Sequence, residues 1–346
     1  MKLDAMAMGL PLREAQRLAA DIEEAGFSGL WFTEGGRTAY LGATAAALAT
    51  SELDLGTGIA VAFPRSPMIT ASVAWELAEA TGGRFVLGLG TQVKAHIERR
   101  YGVTYEHPGP WLREYVLALR AIFRAFQGEE RLDFHGEHYD LDLLPPTWSP
   151  GPIEHPDVPI YLSGVRPWML GATGEVADGL HVHPLHSRRY LDEVVVPNVA
   201  KGLATADRPV ADVTLACPVL TIMGDTDEEQ DRWREAARFQ LAFYGSTRTY
   251  RGVFETHGWD GTSERLHEHQ KAGDLAAMAA VITDEMLDAF AVTATWDGLA
   301  PALLDRYAGV EHPVRAICYF AGNSIRSDQT FDQWAAVAAA VRAAAS

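Results

Sequence analysis

The sequence predicts an α/β protein, a (β/α)8 barrel with insertions after its fourth and seventh strands. Three observations lead to that class. Short apolar runs of strand length alternate with helix-length amphipathic stretches from the first residues onward, which is the pattern of a parallel sheet. Eight such runs fit within 346 residues, a length that a barrel with two excursions fills. One stretch, residues 53–92, contains the whole repeat: L-D-L-G-T-G-I-A-V, then a helix, then R-F-V-L-G-L-G-T-Q.

Taken in order, residues 2–8 read as the first strand and Gly9 to Pro11 as its turn. A helix over residues 12–25 places Leu12, Ala15, Leu18, Ala19 and Ile22 inward and stops at Gly26. Residues 29–32 form the second strand, and a small-residue helix, 39–49, leads to the third. Residues 53–61 and 84–89 are apolar, too short for helices and bounded by Gly, as buried parallel strands are. Between them Ser66 is an N-cap, Pro67 suits the first helical position, and Gly82-Gly83 ends the helix. Ile69, Val73, Leu77 and Ala80 recur there at helical spacing. Both flanking strands carry glycines near the carboxyl end, Gly56 and Gly58 in one and Gly88 and Gly90 in the other. Such pairs predict a bulge, or a flat ligand close to the backbone.

After the fourth strand the rhythm breaks. A helix over 110–126, a hairpin around His135-Gly136-Glu137 and a Pro-rich excursion over 144–159 form the first insertion, about residues 102–158. The βα repeat then resumes, so one domain spanning 1–346 is expected. The fifth strand is 159–163, followed by a helix over 167–177, a sixth strand over 179–183, a helix over 187–203 and a seventh strand over 213–223. Thr226 and Glu229 have capping-box spacing for a helix ending near Gly245. Residues 246–282, rich in Gly, His and Thr, are the second insertion, with two short helices expected. Residues 314–319 give the eighth strand and 331–345 an Ala-rich closing helix.

A net charge of −17 argues against nucleic-acid and anionic-membrane partners, which need a basic footprint. Cys217 and Cys318 lie in apolar strand runs and are expected as buried, reduced thiols. No apolar run reaches membrane-span length, and the chain opens on a strand pattern without a signal peptide, so a cytoplasmic protein is expected.

In a barrel of this kind the site lies at the strands' carboxyl ends. That selects Glu34, Gly58, Ile59, Gly90, Thr91, Gln92, Ser163, Gly164, Val165, Arg166 and the segment from His183 to His186. In S-G-V-R-P a strand ends, a Gly turn follows and Pro167 opens a helix, which makes either a plain βα turn or an anion pocket suited to phosphate. His181 and His183 share one strand face. An H-x-H pair can hold a metal, but barrel hydrolases carry that pair on the first strand, and K-L-D-A-M-A-M has no His. No metal is therefore expected. His183 should point into the site, His181 should be a hydrogen-bonded interior residue, and His135 and His138 should face solvent. No G-x-S-x-G turn supports a serine nucleophile.

Together L-G-T-G-I, P-R-S-P, G-G-R-F-V-L-G-L-G-T, F-H-G-E-H-Y and V-P-I-Y-L-S-G resemble the bacterial luciferase-like superfamily, more narrowly its actinobacterial branch that uses the deazaflavin coenzyme F420. The resemblance spans nearly the whole chain. It implies a deazaflavin ring across the barrel mouth and a non-prolyl cis peptide at Gly58–Ile59 facing it. It places Gly90 and Thr91 beside the ring and its side chain, residues 163–166 on the phosphodiester, and Glu34 at the ring's polar edge. The sugar-phosphate and secondary-alcohol dehydrogenases of this group have Asp-His after the second strand and a Glu after the fourth-strand glycines. This chain has Glu34-Gly35 and Gln92-Val93, so those activities do not carry over. His183, His96 and Gln92 are left as catalytic candidates. His183 is preferred for proton transfer because imidazole titrates and a carboxamide does not.

The expected activity is hydride transfer between coenzyme F420 and an organic substrate in a partly apolar pocket; Phe63, Trp111, Trp148, Trp168, Tyr244 and Trp259 fit either a bulky, apolar substrate or ordinary packing of the insertions. An FMN-dependent monooxygenase and a non-catalytic cofactor-binding protein are the alternatives. Related barrels often pair, so a homodimer is a further expectation.

Overall fold

The structure, a computed structural model, describes residues 1–327 and 329–345. Its strands are β1 (Lys2–Met8), β2 (Gly29–Thr33), β3 (Asp54–Thr57), β4 (Ala60–Val61), β5 (Phe85–Gly90), β6 (Phe134–His135), β7 (Asp140–Leu141), β8 (Ile160–Gly164), β9 (Gly179–Val182), β10 (Thr214–Met223), β11 (Ala291–Ala294) and β12 (Val314–Cys318). Eight of them close a parallel barrel in the order β1-β2-β3-β5-β8-β9-β10-β12, with β12 returning to β1. This is the (β/α)8 architecture.

Local chemistry sets the helix ends. Ser66 Oγ accepts the Ile69 amide at 3.3 Å, and Gly82 adopts φ 60°, so the helix Pro67–Thr81 starts and stops as expected. Thr226 and Glu229 form a capping box on the helix Asp227–Gly245. Beyond β9, Ser187 caps a helix that passes through a π turn over Leu191–Val195 before continuing as Val196–Thr205. Pro197, which has no N–H to donate, lies just past that turn.

The structure corrects several expectations. The third strand is not continuous over residues 53–61; it breaks into β3 and β4. Leu12 is 47% exposed, because it is the first residue of its helix and lies beyond the core face. The helix Pro67–Thr81 buries Thr70, Ala71, Ala74, Trp75 and Ala78, and Ile69 is 57% exposed. Small residues on the buried side let this helix lie close against its neighbours. Residues 246–282 hold three α-helices, Arg251–Glu255, Thr262–Ala272 and Leu275–Ala280, where two were expected. A further strand, β11, pairs outside the barrel with the carboxyl half of β10 and leads into the helix Trp296–Arg306.

At the amino end of the barrel, Arg315 binds Asp4 and Asp54, and Trp31 Nε1 donates to Asp4 at 2.8 Å. Asp4 is fully buried, so each charge depends on the other for solvation. Cys217 and Cys318 are buried free thiols, and burial pushes the Cys217 thiol up to about 12.

The hairpin β6–β7 is held by one carboxylate. Glu114 accepts the Glu137, His138 and Tyr139 amides at 2.9, 2.7 and 2.8 Å. A Cβ on Gly136 would lie 2.2 Å from Glu114 Oε1, which is why the turn reads H-G-E. Glu114→Ala should destabilise the protein by about 2 kcal/mol, the loss expected for hydrogen bonds to a charged acceptor, as measured by urea denaturation. His135 is exposed between Asp133 and Asp140, as expected. His138 is not; it is half-buried and stacks on Trp111 at 5.4 Å.

Candidate active site

The site begins where β3 gives way to β4. The Gly58–Ile59 peptide is cis, as the family resemblance implies. Against β5, Gly56 pairs with Val86 and Ala60 with Leu89, so four steps on one strand match three on the other. This is a one-residue bulge. Thr57 bridges it, its hydroxyl accepting the Gly88 amide at 2.8 Å and donating to the Gly88 carbonyl at 2.7 Å. Thr57 and Ala60 are fully buried, whereas Gly58 and Ile59 between them are half-buried and face the mouth. A Cβ on Gly90 would lie 2.4 Å from Ser163 Oγ and 2.7 Å from Ile59 Cδ1. Ile59, Gly90 and Ser163 therefore pack together at one place on the rim, with Gly90 buried beneath the other two side chains.

Beneath lies His181. It is 4% exposed and packs edge-on against Trp31 at 4.7 Å. It is not the hydrogen-bonded interior residue expected, because its Nε2 has no hydrogen-bond partner among the described residues. Burial, and secondarily Arg315, push its pKa down to about 3.

Glu34 is brought to the same rim but is already engaged. Its Oε2 accepts the Val61 amide at 2.6 Å and Arg65 Nη1 at 3.0 Å, while Oε1 accepts Arg65 Nη2. Its side chain is 4% exposed and both its oxygens are held within this pairing with Arg65.

Across the mouth, Gly164 pairs with Val182, and the Val165 carbonyl accepts the Tyr190 hydroxyl at 2.6 Å. Arg166 is the N-cap of the helix Pro167–Val176, and no side chain caps that end. First-turn N–H groups are thus left for another acceptor. Arg166 itself is exposed, and its guanidinium has no partner among the described residues.

His183 follows β9 and is half-buried. Its Nδ1 accepts the Leu185 amide at 3.1 Å, and burial lowers its pKa to about 3. The ring is therefore neutral near pH 7 with its proton on Nε2, where it can donate a hydrogen bond. It lies 4.8 Å from the Tyr244 ring and 4.1 Å from Tyr250. Tyr244 shares a hydrogen bond with Tyr319 at 2.7 Å. Burial pushes the Tyr250 phenol up to about 12, with smaller contributions from Tyr244 and Tyr105. Tyr105 donates to the Gln92 carbonyl at 3.0 Å and faces Phe63, which stacks on Trp111 at 4.0 Å. Gln92 adopts φ 56°, with its side-chain oxygen accepting the Val93 amide. Thr91 Oγ1 donates to the Gln92 carbonyl at 3.1 Å. Gln92 thus shapes the loop after β5, and its backbone anchors Tyr105.

Cavities of about 400 Å³ beside Leu132 and Leu143, and about 460 Å³ beside Ser187 and His257, lie away from this rim. Neither contains Gly58, Ile59, Gly90 or Ser163, so the rim geometry is the better guide to the chemistry. Among the described residues no group of His, Cys, Asp or Glu is placed to hold a metal, and no helix is long and apolar enough to cross a membrane.

The profile described as luciferase-like monooxygenase matches residues 2–311. The chain belongs to this family. It is 43% identical over 299 residues to an uncharacterized protein of Mycobacterium tuberculosis H37Rv, Rv1360, covering 86% of this chain and 88% of that one. It is 32% identical over 286 residues to the 5,10-methylenetetrahydromethanopterin reductase of Archaeoglobus fulgidus, covering 80% of each. In fold it is similar to the coenzyme F420-dependent tetrahydromethanopterin reductase of Methanopyrus kandleri, with TM-score 0.75 at 22% identity over 91% of this chain and 92% of that one. An F420-dependent secondary alcohol dehydrogenase superposes with TM-score 0.71 at 18% identity over 98% of both chains.

For a luciferase-like oxidoreductase, then, the rim brings together Gly58, Ile59, Gly90 and Ser163, with Thr91, Gln92 and His183 on adjoining loops. Of the aromatics named from sequence, Phe63, Trp111 and Tyr244 join the contacts around the mouth. Trp148 is 78% exposed, and Trp259 stacks on His257 instead. Sequence reasoning missed Arg65, Tyr105, Tyr250 and Tyr319. Only P-R-S-P, quoted as a motif, pointed to Arg65.

Proposed function

We propose that this luciferase-like oxidoreductase uses coenzyme F420 to move a hydride to or from a small organic substrate. The observation carrying this reading is the partly exposed bulge at Gly58 and Ile59, in a chain 32% identical to a methylenetetrahydromethanopterin reductase. The residues present fit a flat ring in one respect: Gly58 and Ile59 are partly exposed at the rim, while glycine at 88 and 90 lets Thr57, Ile59 and Ser163 pack closely beneath them. When bound, the deazaflavin would supply the two-electron carrier. Gly58, Ile59, Gly90 and Thr91 would position its ring, and the amides beyond Ser163, Gly164 and Val165 would hold its phosphate beside Arg166. His183 would offer its Nε2 proton as a hydrogen-bond donor to the substrate, and Tyr244 and Tyr250 would exclude water around it. FMN is the comparator, because the family description names monooxygenases.

Side-by-side titration of the purified protein tests the reading. Coenzyme F420 should bind about tenfold or more tightly than FMN. Tighter binding of FMN, or binding of neither, would overturn it. Arg166→Ala should weaken F420 by about tenfold, as loss of a charge-assisted phosphate contact does, and leave a phosphate-free deazaflavin unaffected.

A further inference from the structure

We infer that the Glu34–Arg65 ion pair acts as a surrogate strand that sets the height of the cofactor seat. The inference rests on the functional reading above and assigns Glu34 a positioning role. β4 is two residues long and pairs on one side only, with β5. On that side the Ala62 amide donates to the Gly90 carbonyl at 3.0 Å. Alternate residues of a strand turn their polar groups to opposite edges, so Val61 directs its N–H and C=O the other way. A barrel would normally continue there with its second strand. β2, however, has already ended at Thr33, after the Phe32 carbonyl accepts the Gly58 amide at 2.8 Å.

The ion pair fills that place. Glu34 Oε2 accepts the Val61 amide at 2.6 Å, and Arg65 Nη1 donates to the Val61 carbonyl at 2.9 Å. Both polar groups of a fully buried residue are thereby satisfied by two side chains that also bind each other. Arg65 is itself fixed. Its second η nitrogen reaches Thr38 Oγ1 at 3.3 Å, its guanidinium lies 5.1 Å above the Tyr40 ring, and its carbonyl accepts Tyr115 Oη at 3.1 Å. Val61 is two residues beyond Ile59, so whatever holds Val61 fixes how far Gly58 and Ile59 project against the ring.

Three variants, Glu34→Ala, Arg65→Ala and the double substitution, test this through F420 dissociation constants and hydrogen exchange at the Val61 amide in cofactor-free protein. Each single variant should weaken F420 by about tenfold, and the double variant should be no weaker than either, because both residues act on one backbone unit. Adding Arg166→Ala to Glu34→Ala should multiply the two effects. Arg84→Ala, which removes hydrogen bonds to the Thr50 and Leu53 carbonyls at the opposite, amino end of the barrel, should leave F420 affinity unchanged and so separates positioning from general loss of stability. Should Glu34→Ala fail to fold, Glu34→Gln keeps one acceptor for Val61 and should give an intermediate affinity. Wild-type affinity in the Glu34 variant, or single effects that multiply in the double, would overturn the inference. If the wild-type protein binds no deazaflavin, the functional reading fails while Val61 exchange still decides the surrogate strand: faster exchange in Glu34→Ala supports it, and unchanged exchange rules it out.

Discussion

Acidification from pH 7.5 to 5 should destabilise the fold by about 4–6 kcal/mol, before most carboxylates titrate. The cause is three neutral histidines clustered from β9 into the loop after it. His181 has an unpartnered Nε2; His186 donates Nδ1–H to the His183 carbonyl at 2.9 Å; His183 accepts the Leu185 amide. Burial is the first cause in each case, lowering all three from 6.5 to about 3. In the unfolded chain these rings bind protons below their ordinary pKa, and in the folded chain they do not. The unfolded state therefore takes up more protons between 6.5 and about 3, and stability falls as pH falls through that window. Each fully buried ring contributes about 1.4 kcal/mol per pH unit, roughly 2 kcal/mol by pH 5. His183, half-buried at the rim, contributes less because water screens it. Urea denaturation at pH 7.5, 6 and 5 measures the slope. His181→Leu should remove between about a third and a half of it, and a flat profile would contradict the assignment.

Gly88→Ala should cost about 3 kcal/mol or more, beyond the usual range for a surface change. The added Cβ would lie 1.9 Å from the Thr57 carbonyl oxygen, a backbone atom that cannot rotate away. Moving it would also disturb the two hydrogen bonds between Thr57 Oγ1 and Gly88 that bridge the bulge. Gly90→Val makes the contrast. Its nearest contacts are the Ser163 hydroxyl and the end of the Ile59 side chain, both of which can turn. That variant should remain folded and lose F420 affinity, because the atoms displaced are those proposed to face the ring. Thermal denaturation and cofactor titration of the two variants separate the effects. Equal thermal midpoints would contradict this account of Gly88.

Much of this architecture was legible in the chain because it is local. The Ser66 cap, the Thr226–Glu229 box and the Gly82 stop each involve residues three or fewer apart or a single φ, and such signals survive without tertiary information. The glycine pairs foretold the bulge for the same reason. β11 was not legible, since A-V-T-A is four residues whose strand partner is the distant edge of β10. The buried face of the helix Pro67–Thr81 was legible only in part: Leu77 is buried, but Ile69 is exposed and Ala71, Ala74 and Ala78 carry little hydrophobic signal. Within the site, backbone-defined positions could be found from glycines and βα turns. Side-chain commitments could not. Arg65 lies 31 residues from Glu34, and the sequence contains nothing that pairs them. The tautomer of His183 was likewise not legible, because it is set by the Leu185 amide that Nδ1 accepts.

The measurement that tests the seat most directly is amide hydrogen exchange across the chain with and without saturating coenzyme F420. Protection should rise in residues 57–61, 90–92 and 163–166 together, since these three segments are proposed to contact one ring and its phosphate. Protection confined to another face of the barrel, or unchanged exchange in all three under saturating cofactor, would contradict the account.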